Sequence, residues 1–234
     1  MNQASAAEPR AWWPALRAVA WREWQSAWRR PGDWVLHAMF FVMVSSLFPL
    51  SLDPDPAALA LLGPGVLWVG VCLAVLLATS RLFQDDLASG WLDHWVLSGV
   101  PLALLLAARM VAQWSLAAGP VLLAVPLVGL QFGLSFEALA VLLAALLMGS
   151  GVLVMLACVA AALGAGARGG ALLTVLLVLP LAVPVLVFGT MAVHAAQRGA
   201  DPSAELALLG AMLAFAALVC PWIGGAAVAA AVES

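Results

Sequence analysis

The sequence predicts an all-α integral membrane protein, and three properties of the chain support this prediction. Hydrophobic residues make up 65% of its 234 residues and charged residues only 9%. The mean hydropathy is +1.10. Soluble domains carry about 25% charged residues, so this chain cannot cover a water-facing surface. Stretches long enough to cross a bilayer as helices, which takes about 20 residues, occur at six places: 34–52, 64–82, 102–130, 134–163, 171–195 and 204–231.

The chain therefore divides into a polar N-terminal region, 1–33, and a six-helix transmembrane domain, 34–234. Within the first region, residues 13–30 predict a helix, because Pro14 suits its first turn and Pro31 ends it. Tryptophans gather on one arc of this helix, whereas Arg22 is expected on the opposite, polar arc. This pattern is typical of helices that lie in the membrane interface, and docking against a partner is the alternative. The predicted anchoring residues are Trp13, Arg17, Trp21, Arg22, Trp24, Trp28 and Arg29.

The connection between the second and third spans, residues 82–101, is too polar to cross the membrane. Hydrophobic residues recur there at helical spacing, at Leu87, Trp91 and Trp95. Residues 83–97 are therefore expected to form one short amphipathic helix with an acidic opposite face. Acidic residues are unusual on the cytoplasmic side of a membrane, which is normally rich in basic residues. They therefore favour a protein partner over anionic lipid, and an interfacial helix without a partner is the alternative.

The composition also excludes several kinds of enzyme. All nine basic residues are arginines, and a P-loop or a Schiff-base enzyme needs a lysine. The predicted spans carry no acidic residue deep in the membrane, which disfavours an ion-coupled transporter. We therefore expect a non-catalytic membrane subunit whose energy comes from another chain.

Neither the histidines nor the cysteines form a pattern that binds metal. His37, His94 and His194 have no partner at ligand spacing, so we expect no metal and no haem on this chain. The cysteines all fall inside apolar runs and are expected to be small buried side chains: Cys72, Cys158 and Cys220.

The arginines predict the orientation. Only Arg198 falls on one side of the predicted layout, and eight fall on the other. Since cytoplasmic loops are enriched in arginine, both termini are expected in the cytoplasm. The eight are Arg10, Arg17, Arg22, Arg29, Arg30, Arg81, Arg109 and Arg168.

Residues 82–102, LFQDDLASGWLDHWVLSGVPL, resemble the signature of the CcmB family, in which a stretch like F-x-x-D-x-x-D-G-S-L follows the second span. The residues that match this signature are Phe83, Asp86, Gly90 and Leu92. Two positions depart from it, since Ser89 stands in place of an aspartate and Trp91 in place of a serine.

The resemblance implies the membrane subunit of an ABC-type complex in cytochrome c maturation, with an ABC-2-type permease architecture. It implies a CcmA-like ATPase, a CcmC-like haem-handling protein, a CcmD-like small membrane protein and, indirectly, a CcmE-like haem chaperone. ATP and haem would then bind to partner subunits, and 83–97 would be a cytoplasmic coupling helix. The expected ATPase-docking residues are Phe83, Asp85, Asp86, Leu87, Gly90, Trp91, Leu92 and Trp95.

Two other functions fit the same sequence. The chain could serve an exporter of another cargo, such as a lipid or an oligosaccharide, which would share the architecture. It could also be a scaffold that transports nothing and only holds haem-handling subunits together.

Overall fold

The computed structural model describes residues 12–29, 31–51, 55–80, 82–167 and 169–233, and these ranges contain ten helices. Four of the arginines on which the predicted orientation depends lie outside the described residues: Arg10, Arg30, Arg81 and Arg168. The helices are α1 (Trp12–Arg29), α2 (Pro31–Ser51), α3 (Pro56–Thr79), α4 (Gln84–Ala88), α5 (Trp91–Leu97), α6 (Leu102–Ala117), α7 (Gly119–Gln131), α8 (Phe136–Leu163), α9 (Gly170–Gln197) and α10 (Ser203–Glu233).

Five apolar segments of the described chain are long enough to cross a membrane, namely α3, α6 with α7, α8, α9 and α10. The apolar part of α2 covers only Val35–Leu50, which is shorter than the about 20 residues that span a hydrocarbon core. The all-α membrane class is therefore confirmed, whereas the predicted count of six spans is not.

The third predicted span is divided into two helices. Residues 102–130 were predicted as one span, and within it α6 ends at Ala117 and α7 begins at Gly119. Pro120 follows directly, and proline has no backbone N–H to donate to the preceding turn. The division therefore lies where the sequence removes a helix donor.

The bundle is built around α8, which packs against α3, α6, α9 and α10. Small residues allow these helices to approach closely, as is common in membrane proteins. Trp68 of α3 is fully buried and lies against Gly149 of α8 and Gly189 of α9. Because a Cβ on either glycine would occupy the space of the indole ring, the glycines and the tryptophan form one packing unit.

A second close approach joins α10 to α6. A Cβ added to Gly225 would lie 3.1 Å from the backbone nitrogen of Ala103, so the two helices meet almost backbone to backbone. The free cysteines are also packed inside the bundle, which confirms their predicted burial: Cys72, Cys158 and Cys220.

The end of the bundle at which α9 ends and α3 begins is held by side-chain hydrogen bonds; we call it the far end. The His194 Nδ1–H donates to Gln197 Oε1 at 2.9 Å, and Gln197 Nε2 donates to the carbonyl of Ala60 at 2.8 Å. This pair ties the end of α9 to the beginning of α3. Nearby, the hydroxyl and backbone N–H of Ser203 donate to Asp201 and lower the pKa of that carboxyl group.

Candidate functional site

Four charged side chains meet at the end of the bundle where α1, α4 and α6 come together. They are Arg22 and Glu23 of α1, Asp86 of α4 and Arg109 of α6; we call them the four-charge cluster. Their formal charges sum to zero. Since they come from three helices that are distant in sequence, the cluster joins the N-terminal helix, the 82–101 connection and the third span.

Asp86 is the centre of this cluster. Asp86 is only 5% exposed, and both arginines of the cluster contact its carboxylate. Arg22 Nη2 donates to Asp86 Oδ1 at 2.9 Å, and Arg109 Nη1 is ion-paired with Asp86 Oδ2. A buried carboxylate needs such compensation because its desolvation costs several kcal/mol.

Arg109 is equally buried, with 3% of its surface exposed. Its Nη2 donates to the carbonyl of Leu82 at 2.9 Å and lies 3.6 Å from Glu23 Oε1. One helical turn further along α6, Gln113 Nε2 donates to the carbonyl of Ala78 at 3.2 Å. These side chains bind the backbone at the end of α3, so α6 also positions the start of the 82–101 connection.

Aromatic rings surround both guanidinium groups. The Cζ of Arg109 lies 4.5 Å from the ring centre of Phe83 and 5.6 Å from that of Trp95. The Cζ of Arg22 lies 4.3 Å from the ring centre of Trp91. A cation above an aromatic face contributes about 0.5–2 kcal/mol, more where water is excluded. Two of the tryptophans predicted to anchor a partner therefore contact the chain's own arginines.

The 82–101 connection differs from its prediction in local structure. Instead of one helix over 83–97, it forms α4 and α5 separated by Gly90. Gly90 has φ of +71°, a left-handed conformation that costs any L-residue with a Cβ. The signature glycine therefore bends the segment so that Asp86 and Trp95 both face the bundle.

This bend changes which predicted docking residues are accessible. Phe83, Leu92 and Trp95 are buried within the chain, while Leu87 and Trp91 are half-buried and pack against its core. The expectation that Trp95 anchors a partner conflicts with this burial. Asp85 belongs to α4, but its side chain lies outside what the structure describes. The exposed side of α5 consists of Asp93, His94, Val96 and Leu97.

The N-terminal helix presents two distinct faces. Val19 is buried, and Arg22 and Glu23 turn toward the bundle. Arg22, which was predicted on the polar arc, has a side chain that is 39% exposed, and its guanidinium is paired with Asp86. The other predicted anchoring residues are exposed, as an interfacial helix requires: Trp13, Arg17, Trp21, Trp24, Trp28 and Arg29.

Two members of the cluster were not predicted as site residues. Glu23 is the only acidic residue within 12–29, and Arg109 is the only charged residue within 102–130. An ionisable residue inside an apolar span normally has a partner. The isolation of Arg109 was thus a usable signal, although the sequence did not identify its partners.

Comparison with known proteins relates the chain to one family. The model of the family described as CcmB protein matches residues 15–233, a range that contains the whole four-charge cluster. The chain is 40% identical over 201 residues to Heme exporter protein B of Pseudomonas aeruginosa, covering 86% of this chain and 90% of the relative. It is 37% identical over 206 residues to Heme exporter protein B of Haemophilus influenzae, with 88% and 93% covered. The protein of the same description from Escherichia coli K12 is 36% identical over 211 residues, with 90% and 96% covered.

Proposed function

The chain belongs to the CcmB family, and from this premise we propose that it is the membrane subunit of an ABC-type haem-export complex in cytochrome c maturation. It works with a separate CcmA-like ATPase, since a lysine-free chain cannot form a P-loop. CcmC-like and CcmD-like membrane proteins complete the complex. ATP hydrolysis drives haem delivery or the release of a haem-loaded CcmE-like chaperone.

The four-charge cluster is the observation that supports coupling to a motor. Asp86 contacts arginines from both α1 and α6, so α4 cannot move independently of either helix without exposing buried charges. Breaking one partner out of a buried ion pair costs about 3–5 kcal/mol. A force applied to α4 and α5 is therefore transmitted to the third span rather than absorbed in the connection.

The exposed side of α5 is where the motor binds under this proposal. Leu97 is 83% exposed and Val96 is 45% exposed, and Asp93 supplies a charge beside them. Apolar side chains with an acidic neighbour suit a groove that is apolar inside and basic at its rim. The motor then contacts Val96 and Leu97, while Trp91 and Trp95 support α5 from within the chain.

We expect Leu97→Asp to weaken association with the ATPase by about 2 kcal/mol or more, the cost of losing an interface anchor. Retention of the ATPase on the purified, detergent-solubilised complex measures this loss. Phe136→Asp is the matched control, because Phe136 is 86% exposed and lies at the opposite end of the bundle. Equal retention in both variants would remove α5 as the docking element.

Haem and ATP bind to the partner subunits in this proposal. His94 Nδ1–H donates to the carbonyl of Gly90 at 3.1 Å while its ring stacks on Trp91. His194 is hydrogen-bonded to Gln197. Each of these histidines thus has a role in its own helix. Haem is the cargo of the complex and need not be held by this chain at rest.

The chain lies in the bacterial inner membrane with both termini cytoplasmic, and α2 serves as a sixth span that is shorter than the others. We expect reporter fusions after Pro56 and Ala200 to report the periplasmic side and a fusion after Ser234 the cytoplasmic side. With the N-terminus in the cytoplasm, cytoplasmic signals after both Pro56 and Ala200 and a periplasmic signal after Ser234 would mean that α2 does not cross, and only five spans remain.

The two alternative functions make different predictions. An exporter of lipid or oligosaccharide predicts that deleting the chain leaves holo-cytochromes c at normal levels. A scaffold predicts normal holo-cytochromes c when the partner ATPase is inactivated but still assembled. Our proposal requires that both experiments abolish holo-cytochrome c formation.

A further inference from the structure

An apolar groove lies between the end of α1 and the division of the third span. Trp24 and Trp28 form one wall, and Gly119, Pro120 and Leu123 at the start of α7 form the other. Its volume is about 440 Å³. A helix is about 10–12 Å wide and 5.4 Å long per turn, so the groove admits only about one turn of a partner helix. A single extended hydrocarbon chain fits this shape better.

A more polar recess adjoins the groove and shares Trp24 and Trp28 with it. Gln25 and Arg29 line this recess. Arg29 is exposed, and no ion pair among the described residues involves it. Nor does any hydrogen bond within the described part of the chain use the indole N–H of either shared tryptophan. These donors remain available for an anionic or ester oxygen.

The two faces of α1 carry different charged residues. Glu23 is the only acidic residue of the helix, and it faces inward toward Arg22 and Arg109. The exposed arc therefore carries Arg17 and Arg29 without a carboxylate from α1. Arginine and tryptophan together on an exposed arc are typical of contact with lipid headgroups.

We propose that this composite groove binds one anionic phospholipid. An acyl chain lies against Trp24, Trp28 and Leu123, and the phosphate-bearing headgroup lies beside Arg29. Gly119 leaves space for the acyl chain, because a Cβ added there would meet no protein atom within 4 Å. The bound lipid fills the gap between α1 and the division of the third span, next to helices that carry the four-charge cluster.

Native mass spectrometry of the full chain in detergent tests this site with phosphatidylglycerol and phosphatidylcholine of identical acyl chains. We expect phosphatidylglycerol to be retained about fivefold better, the effect of one arginine near an anionic surface. Arg29→Gln should bring the two lipids to parity, whereas Arg198→Gln, the same charge change at the far end, should not. Gly119→Leu should fill the groove and lower retention of both lipids.

Several results would overturn the proposal. Equal retention of the two lipids by the unmodified chain would remove the anionic preference. Equal behaviour of Arg29→Gln and Arg198→Gln would move the preference to another site. A lipid-free dimer that Gly119→Leu converts to a monomer would show that a second copy occupies the groove. Monodisperse elution of each variant in size-exclusion chromatography confirms that it is folded.

Discussion

Asp86→Asn is expected to lower the free energy of unfolding by about 3 kcal/mol or more, because it leaves buried arginine charge without its main partner. Arg109 is buried, and its guanidinium is ion-paired with Asp86. The substitution preserves the side-chain shape, so the loss reports charge rather than packing. Unfolding of the chain in mixed micelles with increasing denaturing detergent measures the difference.

Asp93→Asn is the matched control, since Asp93 lies on the exposed side of α5 and surface substitutions usually change stability by less than about 0.5 kcal/mol. A second variant separates charge from local structure. Replacing the buried pair by apolar residues, as Asp86→Leu with Arg109→Met, should recover part of the loss. If Asp86→Asn matches Asp93→Asn in stability, the four-charge cluster does not hold α4 in place.

Gly189→Ala is expected to destabilise the bundle by about 1–3 kcal/mol through overpacking. The added Cβ would lie 2.7 Å from Trp68 Nε1 and closer still to two ring carbons. The indole cannot easily withdraw, because its other edge lies against Gly149 and its side chain is fully buried. The same detergent titration measures the change.

The control for this substitution is Gly65→Ala on α3, the helix that carries Trp68. An added Cβ at Gly65 meets nothing within 4 Å, so it should be neutral or stabilise the helix by about 0.5–1 kcal/mol. Trp68→Phe should relieve the clash, so that the double variant with Gly189→Ala loses less than the sum of the two single variants. Strict additivity would contradict direct contact as the cause.

Local patterns in the sequence account for most of the helices. Apolar runs such as 136–163 are properties of consecutive residues, and burying them in a membrane requires no knowledge of their neighbours. The same holds for α1, where a proline after the amphipathic stretch ends the helix. The signature within 82–102 led to the correct family for the same reason, because it is a contiguous run.

The division of the 82–101 connection into α4 and α5 could not be predicted from the sequence pattern. The spacing of Leu87, Trp91 and Trp95 fits one continuous helix, and nothing in that spacing shows that Gly90 adopts a positive φ. An apolar face also has two possible partners, the chain's own bundle or another protein. Hydrophobicity has no direction, so the pattern could not decide that Trp95 packs inward against Arg109.

The sequence by itself determined that this chain is a helical membrane protein of the CcmB type and where its charged connections lie. Only the tertiary structure decided how the charges pair. Arg22 and Asp86 are 64 positions apart, and Arg109 follows Leu82, whose carbonyl it binds, by 27 positions. Pairing energies depend on distance in space and on desolvation. Both quantities arise only after α1, α4 and α6 have packed together.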